Sequence, residues 1–112
     1  MQKFLVLYMA PVAAMDAMAK EMTEEKAKEG MAQWQAWMDK NKPHFADMGA
    51  PAGRNKRVSA KGVEDARNDV MGYSIIQAGS QDEAVKILAD MPNLDVPGGY
   101  TEVMPLVDMS QG

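Results

Sequence analysis

Residues 70–91, VMGYSIIQAGSQDEAVKILADM, decide the fold of this chain. The stretch up to Ala78 is made of β-branched, aromatic and small residues, which is typical of a strand. Neither face of this strand is clearly polar, so we expect both faces to be covered. Ser80 and Glu83 have the spacing of a capping box, and the amphipathic helix that follows runs to Met91. A strand with two apolar faces that leads into such a helix predicts a sheet with helices packed against it.

The composition limits the function classes. The chain has 112 residues, of which 46% are hydrophobic and 25% charged, and this predicts one folded domain over residues 1–112. With a net charge of -4 and only a short basic cluster at residues 54–57, nucleic acid is not expected as a partner. Because there is no cysteine, disulfides, thiolate metal sites and a cysteine nucleophile are excluded.

The distribution of apolar residues argues against export and against membrane insertion. The N-terminal apolar run follows a single basic residue, Lys3, and is interrupted by Pro11, unlike a signal peptide. No apolar run reaches the roughly 18 residues of a membrane-spanning helix. We therefore expect a cytoplasmic protein.

The periodicity along the whole chain predicts the order β-α-β-β-β-α-β. The predicted strands are residues 4–9, 44–48, 54–60, 70–78 and 100–107, and the predicted helices are residues 24–41 and 81–91. Residues 12–22 are expected to form a loop with at most a helical turn, and residues 61–69 a charged loop. The polar strand at 54–60 is expected at a sheet edge.

The long helix predicted at residues 24–41 carries the first functional question. Thr23 is its expected N-cap. Its apolar stripe, which we expect to enter the core, consists of Ala27, Met31, Trp34 and Met38. Trp37 lies at the edge of this stripe and is a candidate for lining a pocket or a dimer interface.

Two helices cannot cover both faces of a sheet whose central strands are apolar on both sides. The uncovered face needs another partner, and a second copy of the chain provides one. The pattern therefore predicts a homodimer.

Several ordered motifs resemble the YCII-related family, including its DGPF branch. They are KFLVLY, TEEK followed by WM, MGAP, GYSIIQAGSQDEA and GGYTEVMPL, and together they span nearly the whole chain. The resemblance implies an α+β fold, the ferredoxin-like dimeric α/β barrel, with one sheet and two helices on one of its faces.

The chain departs from this family where members have enzyme-like sites. Such members carry a histidine near the start of the first long helix and an aspartate at the end of the first strand. Here the first strand ends in Tyr8-Met9-Ala10, and the helix has no histidine. The DGPF tetrapeptide is replaced within EDARNDVMGY. The acid–base pair of the family therefore has no counterpart in this sequence.

Five side chains remain as candidates for lining a ligand pocket. They are Tyr8, Trp37, His44, Arg54 and Tyr73. His44, the only histidine, is either a general base or a partly exposed residue at a helix–strand junction, and we favour the second interpretation. Asp47 is not expected to pair with it, because residues three apart in a strand face opposite sides. The tyrosines are either pocket groups or core aromatics, and the second interpretation is favoured.

Two functions stay open at this point. The first is binding of a small acidic or aromatic molecule between sheet and helices, with cofactor-less acid–base catalysis as an extension; Arg54 would suit an acidic ligand. The second is a non-catalytic dimerisation or regulatory module. In both we expect no metal and no other cofactor, since one histidine and no cysteine leave only carboxylates as ligands.

Overall fold

The structure, a computed structural model, describes residues 1–109. Its strands are β1 Gln2–Met9, β2 Phe45–Pro51, β3 Asn55–Ser59, β4 Gly62–Ala66, β5 Val70–Ala78 and β6 Tyr100–Pro105. Its α-helices are α1 Val12–Glu21, α2 Glu24–Asn41 and α3 Gln81–Leu88, and short 3-10 helices occupy Lys42–His44 and Pro92–Asp95. None of the helices in this described part is long and apolar enough to cross a bilayer.

Four strands form one antiparallel sheet in the order β2-β5-β1-β6. Together with α2 and α3 they follow the chain order β-α-β-β-α-β, which is the ferredoxin-like pattern. The β3–β4 hairpin is inserted between β2 and β5 and forms a separate two-stranded sheet. The fold is therefore α+β, with the strand of the deciding stretch, β5, in a central position.

The core lies between one face of this sheet and the helices α2 and α3. The sheet contributes alternate residues of β1 and β5, and the helices contribute the apolar face of α3 and part of α2. The buried members are Phe4, Val6, Tyr8, Trp37, Ile76, Ala78, Ala84, Leu88 and Met91. The opposite face of the sheet is only half-buried, so β5 is covered on one side within the protomer.

Both predicted helix caps are confirmed. The Thr23 hydroxyl accepts a hydrogen bond from the Lys26 amide at 3.1 Å. The Ser80 hydroxyl accepts from the Glu83 amide at 3.1 Å, and the Glu83 carboxylate accepts from the Gly79 amide at 3.0 Å. These contacts satisfy amides that have no partner within the first helical turn, and they fix where α2 and α3 begin.

The expected loop at residues 12–22 is wrong, because α1 forms there. Its residues are mostly alanine and methionine, which favour helix, but no side chain caps its first turn and the sequence therefore gives no start signal. The helix buries no residue in the described structure, and an ion pair holds it instead. The Arg67 guanidinium binds the Asp16 carboxylate with N–O distances of 2.9 and 3.1 Å.

The expected charged loop at residues 61–69 is also wrong, because it contains β4. Its partner is β3, so the polar strand predicted at 54–60 lies in the hairpin and not at the edge of the main sheet. Paired opposite charges hold the two strands: Lys56 with Asp65 at 2.5 Å and Arg57 with Glu64 at 3.2 Å. The alternation of apolar and polar residues that predicts strands is absent here, because the two strands pair through charged side chains. The sequence pattern therefore did not predict β4.

The apolar stripe of α2 is rotated relative to the prediction. Met31, expected in the core, is 74% exposed, whereas Trp37 is 5% exposed and belongs to the core. Trp34 is half-buried and packs against the core edge. The rotation is stabilised by the Trp37 indole N–H, which donates to Asp90 at 2.9 Å and so orients the ring towards the end of α3.

A first prediction concerns Gly72. A Cβ atom there would lie 2.9 Å from the Ala50 carbonyl oxygen, whereas a Cβ on Gly30 in α2 meets no atom within 4 Å. We expect Gly72→Ala to lower the free energy of unfolding by roughly 1–3 kcal/mol, because the backbone of β2 must move. The matched control Gly30→Ala should raise it by up to about 1 kcal/mol through helix propensity. Urea unfolding measures both, and equal effects of the two changes would contradict the close approach.

A second prediction concerns the pKa of Asp90. Hydrogen bonds from the Trp37 indole and then from the Lys40 ammonium hold this pKa below its usual value. Because the folded-state pKa is depressed, the interaction stabilises the fold above about pH 4 and is lost as the pH falls through the folded-state value.

The contribution of each donor is separable by NMR titration of the Asp90 carboxyl. We expect Trp37→Phe to raise the Asp90 pKa towards its ordinary value, and Lys40→Met to raise it by less. A larger rise in Lys40→Met would show that the ion pair, and not the indole, is the main cause.

Candidate functional site

A cavity of about 260 Å³ lies where β1, β5, the end of β2 and helix α2 meet. We call it the central cavity. Its lining consists of Tyr8, Trp34, Met38, Met48, Gly49, Ala50, Pro51, Met71, Gly72 and Tyr73. Among residues 1–109, no Asp, Glu, His, Lys or Arg lines this cavity, so the described lining is almost entirely apolar.

Two glycines bring β2 close enough to β5 to form one wall of the central cavity. Gly49 has a φ of 71°, which is the left-handed region, and a Cβ there would lie 1.7 Å from the Tyr73 carbonyl oxygen. A Cβ on Gly72 would lie 2.9 Å from the Ala50 carbonyl oxygen and 3.2 Å from the Pro51 Cα atom. Only residues without a side chain allow this approach. The MGAP segment therefore owes its shape to Gly49.

The rings of Tyr8 and Trp34 form another part of the lining, and a series of ring contacts continues from them to Trp37 and Phe45 outside the cavity. Tyr8 and Trp34 have ring centroids 5.1 Å apart, Trp34 and Trp37 6.4 Å, and Trp37 and Phe45 5.8 Å. The last two contacts are edge-to-face, a favourable arrangement of the ring quadrupoles. Trp34 is thus held between a core ring and a cavity residue and presents a rigid aromatic surface to the cavity.

One hydroxyl pair gives the apolar cavity a polar point. The Tyr8 hydroxyl donates to the Ser74 hydroxyl at 2.5 Å, and Ser74 donates to the Met48 carbonyl oxygen at 2.7 Å. Ser74 is fully buried and Tyr8 is 7% exposed. Burial raises the pKa of Tyr8, and the hydrogen bond with Ser74 only partly offsets this rise. Tyr8 therefore stays protonated at neutral pH.

The lining determines what this site is able to do chemically. Proton transfer at neutral pH uses a group whose pKa lies near 7, and no such side chain lines the central cavity. The cavity offers apolar contact, ring surfaces and the oriented Tyr8–Ser74 hydroxyls. These features suit binding and orientation of a molecule.

A larger cavity of about 790 Å³ lies beside the hairpin and α1. It carries the charged residues that the central cavity lacks, and its lining shares Met71 with it. Lys56, Asp65 and Arg67 of its lining are all engaged in ion pairs. Arg54 also lines it, and within residues 1–109 its guanidinium forms no hydrogen bond or ion pair.

The five candidate residues from the sequence do not converge on one site. Tyr8 and Tyr73 line the central cavity, and Arg54 lines the larger one. Tyr8 is paired with Gly72 and Tyr73 with Leu7, so the two phenol side chains leave opposite faces of the sheet. Their roles in binding a ligand stay predictions.

Trp37 and His44 line neither cavity. Trp37 lies in the core, and half-buried His44 lies in the 3-10 helix Lys42–His44 at the start of β2. The Asp47 carboxylate accepts a hydrogen bond from the Gly49 amide at 2.8 Å and so supports the tight turn of β2. Among residues 1–109, no group of three or more His, Cys, Asp or Glu side chains is close enough to hold a metal ion.

Sequence reasoning missed Ser74 and underrated Trp34. A serine within the apolar run of β5 is a usable signal, because a buried hydroxyl requires a partner. Trp34 was assigned to the core, and no feature of the α2 pattern shows that one of its sides is left open to a cavity. Ala50 and Pro51 line the cavity only because β2 is extended to Pro51, beyond the strand predicted at 44–48.

Comparisons with known proteins agree with the fold. No family model matches this chain, and no curated protein sequence matches it. It is similar to the solved structure of 5-chloro-2-hydroxyhydroquinone dehydrochlorinase from Burkholderia phenoliruptrix in complex with 2,5-dihydroxybenzoquinone. The two are 15% identical, the alignment covers 98% of each chain, and the TM-score is 0.59. At this identity the similarity shows a shared α+β fold; membership of the YCII-related family itself stays a prediction.

Proposed function

We propose that this protein binds a small single-ring aromatic molecule in the central cavity. The observation that carries the proposal is an uncharged cavity of about 260 Å³, walled by Trp34 and Tyr8 and carrying one oriented hydroxyl pair. Ligand sites of this kind are mostly apolar, with a small number of polar groups that fix the orientation of the ligand. The proposal includes residues 1–112 acting as one domain in the cytoplasm without a cofactor.

The volume selects the size of the ligand. An engineered apolar cavity of about 150 Å³ is able to hold benzene, and sites for drug-sized molecules occupy roughly 300–1,000 Å³. The central cavity lies between these values, so it suits one ring with small substituents. The ligand of the structurally similar dehydrochlorinase, 2,5-dihydroxybenzoquinone, is also a single ring, which supports the proposal by size alone.

The chemistry of the lining favours binding over acid–base catalysis. Tyr8 has a raised pKa, and the other polar side chain next to it, Ser74, is a neutral hydroxyl. The imidazole of His44 lies outside the lining. An acidic ligand is better suited to the larger cavity beside Arg54 than to the uncharged central cavity, because an unpaired anion in an apolar site is strongly disfavoured.

We also propose that the protein is a homodimer that packs through the open sheet face. We define this face as Leu5, Leu7, Tyr73, Ile75 and Met104, which are joined by cross-strand pairing. Tyr73 is 38% and Met104 37% exposed. The protomer is flat, with extents of 46 × 43 × 20 Å, and its radius of gyration is 15.7 Å. A compact globular domain of this length has a radius of gyration of about 13 Å.

The methyl groups of the methionine side chains report on ligand binding in the central cavity. Met38, Met48 and Met71 line the central cavity, whereas Met1 and Met31 are 92% and 74% exposed. In protein with labelled methionine methyls, we expect toluene to shift the three cavity signals with a dissociation constant of about 1 mM or below. The two exposed signals should stay in place.

A matched pair of variants locates the toluene site. Met38→Trp places a larger side chain in the cavity and should abolish the shifts of Met48 and Met71. Met31→Trp, the same change on the exposed side of α2, should preserve them, and far-UV circular dichroism checks that both variants fold. Toluene that shifts no cavity methyl in the wild-type protein refutes the proposed function.

The dimer proposal is checked by sedimentation velocity. We expect the wild-type protein to sediment at twice the chain mass and Leu5→Lys, whose cross-strand partners Ile75 and Met104 are apolar, to sediment as a monomer, because a buried charge without a partner is costly. Met104→Lys on the same face should act in the same direction. Met31→Lys, at an exposed position on α2, should remain dimeric. A monomeric wild-type protein would refute the homodimer.

A further inference from the structure

We propose that the ligand of the central cavity is a neutral molecule with an O–H or N–H donor, and that the Tyr8 phenolic oxygen accepts this hydrogen bond. This inference rests on the proposed function and names the ligand class within it. The inference follows from the direction of the hydrogen bonds from Tyr8 to Ser74 and from Ser74 to Met48. This direction decides whether the Tyr8 hydroxyl offers a proton or a lone pair to a ligand.

The direction of these hydrogen bonds is determined by the contact between Ser74 and the Met48 carbonyl oxygen. The Met48 carbonyl oxygen has no hydrogen, so the contact of 2.7 Å requires Ser74 to donate. A serine hydroxyl has a single proton, and this proton is therefore committed to Met48. The contact of 2.5 Å between Ser74 and Tyr8 then requires Tyr8 to donate.

The consequence for Tyr8 is that its only proton points away from the cavity. Its oxygen keeps accepting capacity, and within residues 1–109 it forms no hydrogen bond other than the one to Ser74. Tyr8 is 7% exposed and lines the central cavity, so a ligand bound there would take the place of solvent next to it. A donor on the ligand is the group that completes the hydrogen bonding of this oxygen.

Two other classes of ligand are disfavoured by the same geometry. An acceptor-only ligand would place its lone pair against the lone pair of Tyr8 and gain no hydrogen bond from this residue. An anion would lose its hydration in a cavity whose lining contains no Lys, Arg or His. A phenol-like or aromatic amine-like neutral molecule satisfies both conditions.

The test compares four single-ring probes through the methyl signals of Met38, Met48 and Met71. Toluene has no polar group, and phenol carries a hydrogen-bond donor. Anisole carries only an acceptor, and benzoate is an anion. We expect phenol to bind and benzoate to cause no shift. Because the probes differ in hydration, the role of Tyr8 is read from the effect of Tyr8→Phe on each probe and not from their absolute affinities.

Tyr8→Phe removes the acceptor and keeps the ring. We expect it to weaken phenol binding about five- to tenfold and to leave toluene and anisole within about twofold. Ser74→Ala removes the partner that takes the Tyr8 proton, so the proton becomes available to the cavity. In this variant we expect anisole to bind several-fold more tightly than in the wild-type protein, with folding checked by far-UV circular dichroism.

The outcomes separate this inference from the proposed function. Binding of toluene, combined with equal loss of phenol and anisole in Tyr8→Phe, overturns the donor requirement and leaves the proposed function standing. The donor requirement is also overturned, with the proposed function left standing, if benzoate shifts the cavity methyl signals. The same conclusion follows if toluene shifts these signals and phenol does not. If none of the four probes shifts these methyls, both proposals fall.

Discussion

The hydrogen bonds that run from Tyr8 through Ser74 to the Met48 carbonyl connect three strands, β1, β5 and β2, at one buried point. A fully buried serine hydroxyl requires partners, and here these partners come from residues 66 positions and 26 positions away in the chain. The same contacts position the phenol ring against Trp34. The cavity wall, the Tyr8–Ser74 hydroxyl pair and the register of the central strands therefore depend on one another.

The protomer divides into parts with different physical support. Apolar packing holds α2 and α3 on the sheet, whereas the hairpin combines its own strand pairing with two exposed ion pairs, and α1 has one exposed ion pair to Arg67. Exposed ion pairs contribute little stability, typically less than about 1 kcal/mol each. The central cavity lies where the well-packed part ends, between the core rings and the end of β2. A site at this position combines rigid aromatic rings with an adaptable edge. The adaptability comes from three flexible methionine side chains in the lining.

The candidate site was predictable only in part. Tyr8 was identifiable because an aromatic residue with a hydroxyl ends an otherwise apolar strand. Trp37 and Trp34 exchanged their expected roles, because the rotation of α2 follows from the indole–Asp90 hydrogen bond, which joins residues 53 positions apart. Periodicity reports which residues share a face, but it does not specify how far that face is turned towards the core.

The sequence by itself determined the central strand and the two capped helices, since these depend on alternation, helical spacing and local capping contacts, while the α+β class was what its family resemblance implied. It also excluded disulfides, thiolate metal sites and a cysteine nucleophile, because the sequence contains no cysteine. Only the tertiary structure decided the hairpin, the helix at Val12–Glu21 and the separation of Tyr8 from Arg54 into two cavities. These features depend on pairing between distant residues and on the close backbone approach at Gly49 and Gly72, and no local pattern records either.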